Sequence, residues 1–458
     1  RALAQQYAHP RDMRMPVPSF TPPDPAAHRQ QIGDAVAYIV EDRRVPLVTV
    51  TAFVRVGYAD GATPDAARGV ERALRGGPAA LAPGEFDAEL ERMVAEWRVT
   101  MGPELTELSL DVPAEDAQRA IDLVVATLRA PRFAALPAGR PWSQLRSTAA
   151  TGESGAVLYE GSLQLAVDLF HEWLLGHTPY GGLAARGAAV DSIRSFHGAH
   201  FGPAITVFAV AGDITAGDAR QTLAGALAGW SGGRTPERRT VPPLRRLAER
   251  EIRVYDTDKL QGWIVMGHEL APVPERDRAA LNVMNYILGG GHFDTRLFRA
   301  LRDRRGLANT GGGFPEANQH GPGSYTFRTY GRPEAIAQLI QLTLAEIDRI
   351  RNERVTDDEL AIAKGALADG VFPMRYADGY ATARSFAEEW AWHGGHTESI
   401  DWAARVRQVT AEEVLDVARR YIEPDQFRIV VLGPLAAIER AGQAAGARRL
   451  DEFGQLVR

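Results

Sequence analysis

The 458-residue chain contains no cysteine. Composition therefore excludes disulfides, thiolate-bound zinc, iron–sulfur clusters and cysteine nucleophiles together. An excess of one charge sign is also missing, since 52 basic against 58 acidic side chains leave a formal charge of −6. A dedicated nucleic-acid binder needs a concentrated basic surplus, so that class finds no support. No apolar run approaches the roughly 18 residues of a membrane-spanning helix. The longest, such as ITVFAVAG at 205–212, have the length of strands. What is present is a globular composition, 45% hydrophobic and 24% charged. At roughly 150 residues per domain the length fits about two to four domains.

The opening RALAQQ sets Ala2 and Ala4 in an A-x-A arrangement similar to a signal-peptide cleavage site. This gives a periplasmic expectation, with a cytoplasmic address as the alternative. Residues 1–28, rich in proline, read as an extended arm. From Ala35 to Tyr58, two β-branched runs flank a charged EDRR turn, a pattern that predicts an antiparallel hairpin. LTELSLDV at 105–112 then runs through Pro113 into a helix with Ala117, Ala120, Ile121, Val124 and Leu128 on one face.

The same phrase returns later. YTFRTY at 325–330 runs through Pro333 into Ala337, Ile340, Leu344 and Ile347, and Pro113 and Pro333 lie 220 residues apart. Pro203 matches Pro424, and Gly212 matches Gly433, both at an offset of 221. Two separated segments with nearly one offset predict a duplicated domain. The fold class expected is α+β: two homologous domains, each a mostly antiparallel sheet with helices on one face. The repeats are placed at 29–230 and 251–445, with a Gly-, Pro- and Arg-rich linker at 231–250 and a tail at 446–458.

Eleven histidines invite a search for metal ligands. In FHEWLLGH, His171 and Glu172 begin an H-E-x-x-H pattern, but Leu175 stands where the second histidine belongs. His177 is off that helical face, and His197 and His200 are flanked by Phe196 and Phe201. An independent metal site built from these four is the weakest reading. No G-x-S-x-G elbow occurs, and LGGGHF at 288–293 lacks phosphate-loop spacing. That glycine run reads either as a helix stop or as a ligand-facing loop.

The most specific stretch is GGGHFDTRLFRALRDRRGLANT at 289–310. It resembles the second-half signature of the pitrilysin-type zinc metallopeptidases, the family of insulin-degrading enzyme and mitochondrial processing peptidase. Arg296, Leu297, Phe298, Leu301, Arg302, Gly306, Leu307 and Ala308 stand at the matching places. HTPYGGLAARG at 177–187 and FGPAITVFAVAGDI at 201–214 are similar to two further family segments. Catalytic members carry H-x-x-E-H on their first helix, where two imidazoles and a downstream carboxylate hold zinc.

Here that helix should lie in PDAARGVERALRGG, residues 64–77, and no histidine occurs from position 29 to 170. Glu71 alone is expected to face solvent. The resemblance implies no cofactor in this chain, with zinc in a homologous partner subunit that carries H-x-x-E-H. It implies Arg302 as the family's substrate-polarising arginine, and puts Asn309 where the family has tyrosine. Tyr325 or Tyr330, from the next strand, is the alternative donor. Gly289, Gly290 and Gly291, with these tyrosines, are the expected substrate-binding residues. The function implied is the non-zinc subunit of a heterodimeric peptidase acting on unfolded peptides in an enclosed chamber. The alternative is a catalytically inactive structural homologue.

Overall fold

The computed structural model describes residues 20–60, 64–135, 163–181, 187–237, 241, 244–444 and 449–457. Twelve strands form two six-stranded sheets among these residues. The first holds β1 (Arg29–Ile32), β2 (Ala35–Glu41), β3 (Leu47–Val54), β4 (Glu96–Met101), β5 (Thr106–Pro113) and β6 (Thr206–Gly212). The second holds β7 (Glu251–Asp256), β8 (Gly262–Leu270), β9 (Gly311–Glu316), β10 (Gly323–Gly331), β11 (Arg428–Gly433) and β12 (Gln455–Leu456). Their orders, β1-β2-β6-β3-β5-β4 and β12-β7-β11-β8-β10-β9, are the same topology written twice. The two-domain α+β duplication is therefore present in the strand order itself.

The matched residues occupy matched joints. Pro113 closes β5 and Pro333 follows β10, each leading into a short 3₁₀ turn and then a helix. Pro203 and Pro424 open the turns before β6 and β11, where a missing N–H costs nothing. Gly212 ends β6 at φ 130°, and a Cβ there would lie 2.0 Å from the carbonyl oxygen of Leu47. No other residue type fits that crossing.

Two expectations need correction. β2 and β3 do run antiparallel, but they are not a hairpin, because β6 lies between them, parallel to β2 and antiparallel to β3. The reason is burial: TVFAVAG is apolar on both faces, and a strand buried on both sides belongs at the centre of a sheet. The C-terminal residues are also not a free tail. β12 pairs with the outer edge of β7, and Leu450 and Phe453 are buried in the second core.

In the first half the helices are α1 (Pro64–Arg75), α2 (Pro83–Arg92), α3 (Ala117–Arg129), α4 (Leu163–Leu175), α5 (Val190–His200) and α6 (Ala216–Leu227). In the second they are α7 (Glu275–Asn285), α8 (Ile336–Asn352), α9 (Asp357–Gly365), α10 (Gly379–His393), α11 (Thr397–Gln408), α12 (Ala411–Tyr421) and α13 (Leu435–Ala444). Each sheet packs its own helices on one face, as predicted: Val50, Leu110 and Val210 meet α1, α3 and α5, while Ile264, Phe327 and Val431 meet α7, α8 and α12.

The opposite faces are covered by exchange. Helix α10 of the second half lays Ala383, Phe386, Ala387 and Ala391 on Tyr38, Phe53, Val207 and Ala209 of the first sheet. Helix α4 of the first half lays Leu165, Ala166, Leu169 and Phe170 on Val265, Val430 and Leu432 of the second sheet. Apolar alternation on both faces of a strand forces some cover for the second face, and here the other domain supplies it.

Phe386 is fully buried at this crossing. Phe386→Ala should destabilise the protein by about 3–5 kcal/mol, read as a lower urea midpoint. Ile362→Ala, at a side chain 45% exposed on α9, should stay within about 0.5 kcal/mol of the parent. Equal effects from the two would show that the exchange contributes little.

Candidate functional site

Helix α1 buries Ala66, Ala67, Val70, Ala73 and Leu74, which leaves Arg68, Glu71, Arg72 and Arg75 on its outer stripe. The first three read R-x-x-E-R, the spacing of H-x-x-E-H with both histidines replaced by arginine. This set does not fit zinc. Guanidinium groups stay protonated and carry no lone pair to donate, and the Glu71 carboxylate is held by Arg75 at 2.7 Å. Glu71 is accordingly a half-buried ion-pair partner, not the free solvent-facing residue expected. Among the described residues no three of histidine, aspartate and glutamate converge as a metal site. The double arginine is visible in the sequence as R-x-x-E-R spacing, a signal that histidine positions alone do not carry.

Where α4 crosses the second sheet, a polar cluster joins the two halves. His171 Nε2 is 2.9 Å from Ser324 Oγ on β10 and 3.4 Å from Glu316 Oε2 at the end of β9. Arg328 holds the other Glu316 oxygen at 2.7 Å and lies 4.5 Å over the Phe314 ring. Desolvation pushes the Glu316 carboxyl up, but the His171 hydrogen bond and the Arg328 charge outweigh it and hold it at about 2. Nearby Asp168 accepts from Gln164 at 2.8 Å, and burial raises its carboxyl above the usual range. Ser324, His171 and Glu316 are the residue types of a hydrolytic triad without its geometry. The acid sits at the same ring nitrogen as the serine, so it cannot orient the imidazole from behind, and Ser324 is buried.

The signature segment of the second half is mostly a packing device. Arg296 forms a buried bidentate pair with Glu359 at 2.7 and 2.9 Å. Leu297, Leu301 and Ala308 enter the core, Phe298 is buried, and Gly306 closes the helical turn at φ 62°. Arg302 reaches solvent, as do the neighbouring charges Arg299 and Asp303; its side chain is 43% exposed, 4.0 Å from Asp303, with its guanidinium 4.7 Å over Phe298 and 5.6 Å from the exposed Phe293 ring. Asn309 is also exposed, in the loop before β9.

The remaining expected substrate residues fare differently. Gly289 is buried, and a Cβ there would fall 2.7 Å from the Gly313 nitrogen, so this glycine lets the chain after α7 touch β9 backbone. Gly290 and Gly291 lie against the side chains of Asn285 and Tyr286. Tyr325 is corrected outright. It is wholly buried and donates to Asn285 Oδ1 at 2.8 Å, because its side chain falls on the core face of β10. Tyr330, five residues on and so half a strand period out of phase, is half-buried on the opposite face, across from Trp263.

The other histidines are dispersed. His197 stacks on Phe201 and donates to the Leu128 carbonyl at 2.8 Å, and burial lowers its pKa. His200 sits by Phe196 and reaches the Arg234 carbonyl at 3.3 Å, while His177 is exposed. The HTPYGG resemblance lies partly outside the described residues.

The molecule is a duplicated α+β shell with exchanged helices, in which Arg68 and Arg72 of α1 stand at the spacing of a metal motif without supplying metal ligands. Residues 188–367, from α5 across the linker to the π-helical end of α9, match the family described as "Peptidase M16 inactive domain". An uncharacterized zinc protease of Streptomyces coelicolor is 27% identical over 309 residues, covering 62% of this chain and 64% of that protein. One of Mycobacterium tuberculosis is 26% identical over 280 residues, covering 58% and 62%. The chain thus spans just under two thirds of the length of these curated relatives. Among solved structures, the peptidase M16 inactive domain from Pseudomonas fluorescens superposes at TM-score 0.70 with 20% identity, covering 89% of this chain and 97% of that one. A protease from Helicobacter pylori gives 0.68 and 15%, covering 91% and 100%. Residues 188–367 thus resemble an M16 peptidase domain described as inactive, and the fold of the described chain is that of the solved inactive domain.

The Arg296–Glu359 pair yields a pH prediction. Desolvation raises the Glu359 carboxyl, but the Arg296 hydrogen bonds and the capping contact with Thr356 outweigh it and bring it from 4.5 to about 2. A depressed carboxyl contributes stability above its unfolded value and loses it as pH falls towards the folded one. The contribution, on the order of 3 kcal/mol, should be complete at pH 6 and vanish over roughly pH 5 to 2. Urea midpoints of the parent and Glu359→Gln should differ most near neutrality and converge in acid. A gap independent of pH would refute the assignment.

Proposed function

We propose that this chain is the non-zinc subunit of a heterodimeric metallopeptidase, and that its partner is a homologous chain carrying H-x-x-E-H. The carrying observation is the contrast between the halves. The first-half helix has arginine at both histidine positions, while the second half holds a solvent-exposed guanidinium at the family's arginine position. In this reading an unfolded peptide adds as a strand to a sheet edge of the partner, inside a chamber closed by the two chains. Zinc in the partner supplies the activated water. Arg302, steadied by the Phe298 ring, offers fixed N–H donors to the peptide carbonyl or the oxyanion that develops from it. Asn309 supplies a shorter amide donor.

A second reading, a catalytically inactive assembly homologue, is favoured by Asn309 in place of tyrosine and by the burial of Tyr325. Mixing with the candidate zinc subunit separates the two. The expected result is zinc-dependent cleavage of a fluorogenic peptide that neither chain gives alone, with this chain alone holding no stoichiometric zinc. An inert mixture of folded chains would favour the assembly reading. In an active mixture, Arg302→Ala should lower kcat by about 10²-fold without removing zinc from the partner. Unchanged kcat and KM would make Arg302 a surface charge.

A further inference from the structure

We propose that Arg68 and Arg72 form a carboxylate-binding site on α1, one that takes the anionic group of a peptide. The site lies at the position where catalytic relatives would hold a cation. The two residues are four apart on one helix, so their side chains rise from the same face about 5–6 Å apart at Cβ and can converge on one planar anion. Among the described residues neither guanidinium has a hydrogen-bond or ion-pair partner. The Arg68 guanidinium lies 5.2 Å over the Tyr58 ring, a cation–π contact that orients the side chain without using an N–H donor. Tyr58 itself donates to the Tyr180 carbonyl, and burial pushes its hydroxyl up to about 12, so it brings no negative charge.

The surrounding acids are the test of this reading, since each would otherwise claim an arginine. Glu71 is taken by Arg75 at 2.7 Å. Glu316 is taken by Arg328 at 2.7 Å and by His171 at 3.4 Å. Asp168, which Arg68 influences only at a distance, accepts from Gln164 and is shifted by burial towards its neutral form. Pairing these groups off leaves Arg68 and Arg72 without an acidic partner among the described residues. A bidentate guanidinium matches a carboxylate in shape as well as charge, and such hydrogen bonds are the strong ones. The inference rests on the peptidase reading only in taking a peptide as the bearer of that carboxylate.

The carboxylate could come from a peptide's C-terminus or from an acidic side chain, and one experiment covers both. Binding to this chain alone is followed by anisotropy of a fluorescein-labelled unstructured peptide in three forms. One has a free C-terminus and no acidic residue, one is the same peptide amidated, and one is amidated with a single internal glutamate. Tighter binding of the first form assigns the C-terminus, and tighter binding of the third assigns a side chain. In either case Arg68→Gln with Arg72→Gln should weaken that form by about tenfold or more, with the urea midpoint retained. Arg75→Gln, whose guanidinium is already engaged by Glu71, should weaken it less. Equal binding of all three forms, no binding of any, or undiminished affinity in the double variant would overturn the proposal. The assay needs no partner, so an inert mixture with the zinc subunit would defeat the peptidase reading and leave this result standing.

Discussion

The exchange of helices across the two halves is the constraint on which the rest of the molecule depends. Both sheets are apolar on two faces, and each has enough of its own helices to cover one. Helix α10 closes the first sheet and α4 closes the second, so neither half completes its core alone. This makes the relative placement of the halves a matter of side-chain packing, with Phe386 on Tyr38 and Phe170 beside Val430, and not of a flexible tether. The linker that joins them carries no regular element among its described residues. It has no need of one.

The same crossing creates the chemistry of the seam. Because α4 is borrowed by the second sheet, His171 and Asp168 come to lie beside Glu316, Ser324 and Arg328, residues more than 140 positions away. Charges brought together under partial cover must be matched, and most of them are, by ion pairs of 2.7 Å and a hydrogen bond from histidine. On α1 the matching stops short. The helix that would bear metal ligands instead bears arginines, and the sign of what it can attract is reversed.

The resemblance that identifies the family is carried largely by residues that pack. Arg296 is locked to Glu359, the leucines fill the second core, and Gly306 ends a turn that only glycine adopts without strain. Gly289 and Gly312, in facing glycine runs, serve close backbone approach. Arg302 stands apart because it meets two aromatic rings, solvent and only a loose 4.0 Å contact with Asp303, with no buried carboxylate partner.

Local order was legible in the chain itself. Period-2 and period-3.6 patterns, the prolines at 113, 203, 333 and 424, and the glycines at 212 and 433 mark elements and joints whose geometry depends on neighbours in sequence. From these came the duplication and the α+β class, while the lost metal motif was implied by the family resemblance at 289–310. What the pattern could not supply was which elements meet. A doubly apolar strand such as β6 reads like any other until its place between β2 and β3 is known, and a half-turn of phase on β10 decides that Tyr325 is core while Tyr330 is not. Pairing across the two halves is set by long-range packing, where the free energy of covering a face is nearly indifferent to sequence distance. For that reason the reciprocal helices, the seam around Glu316 and the unmatched arginines of α1 were decided only by tertiary structure.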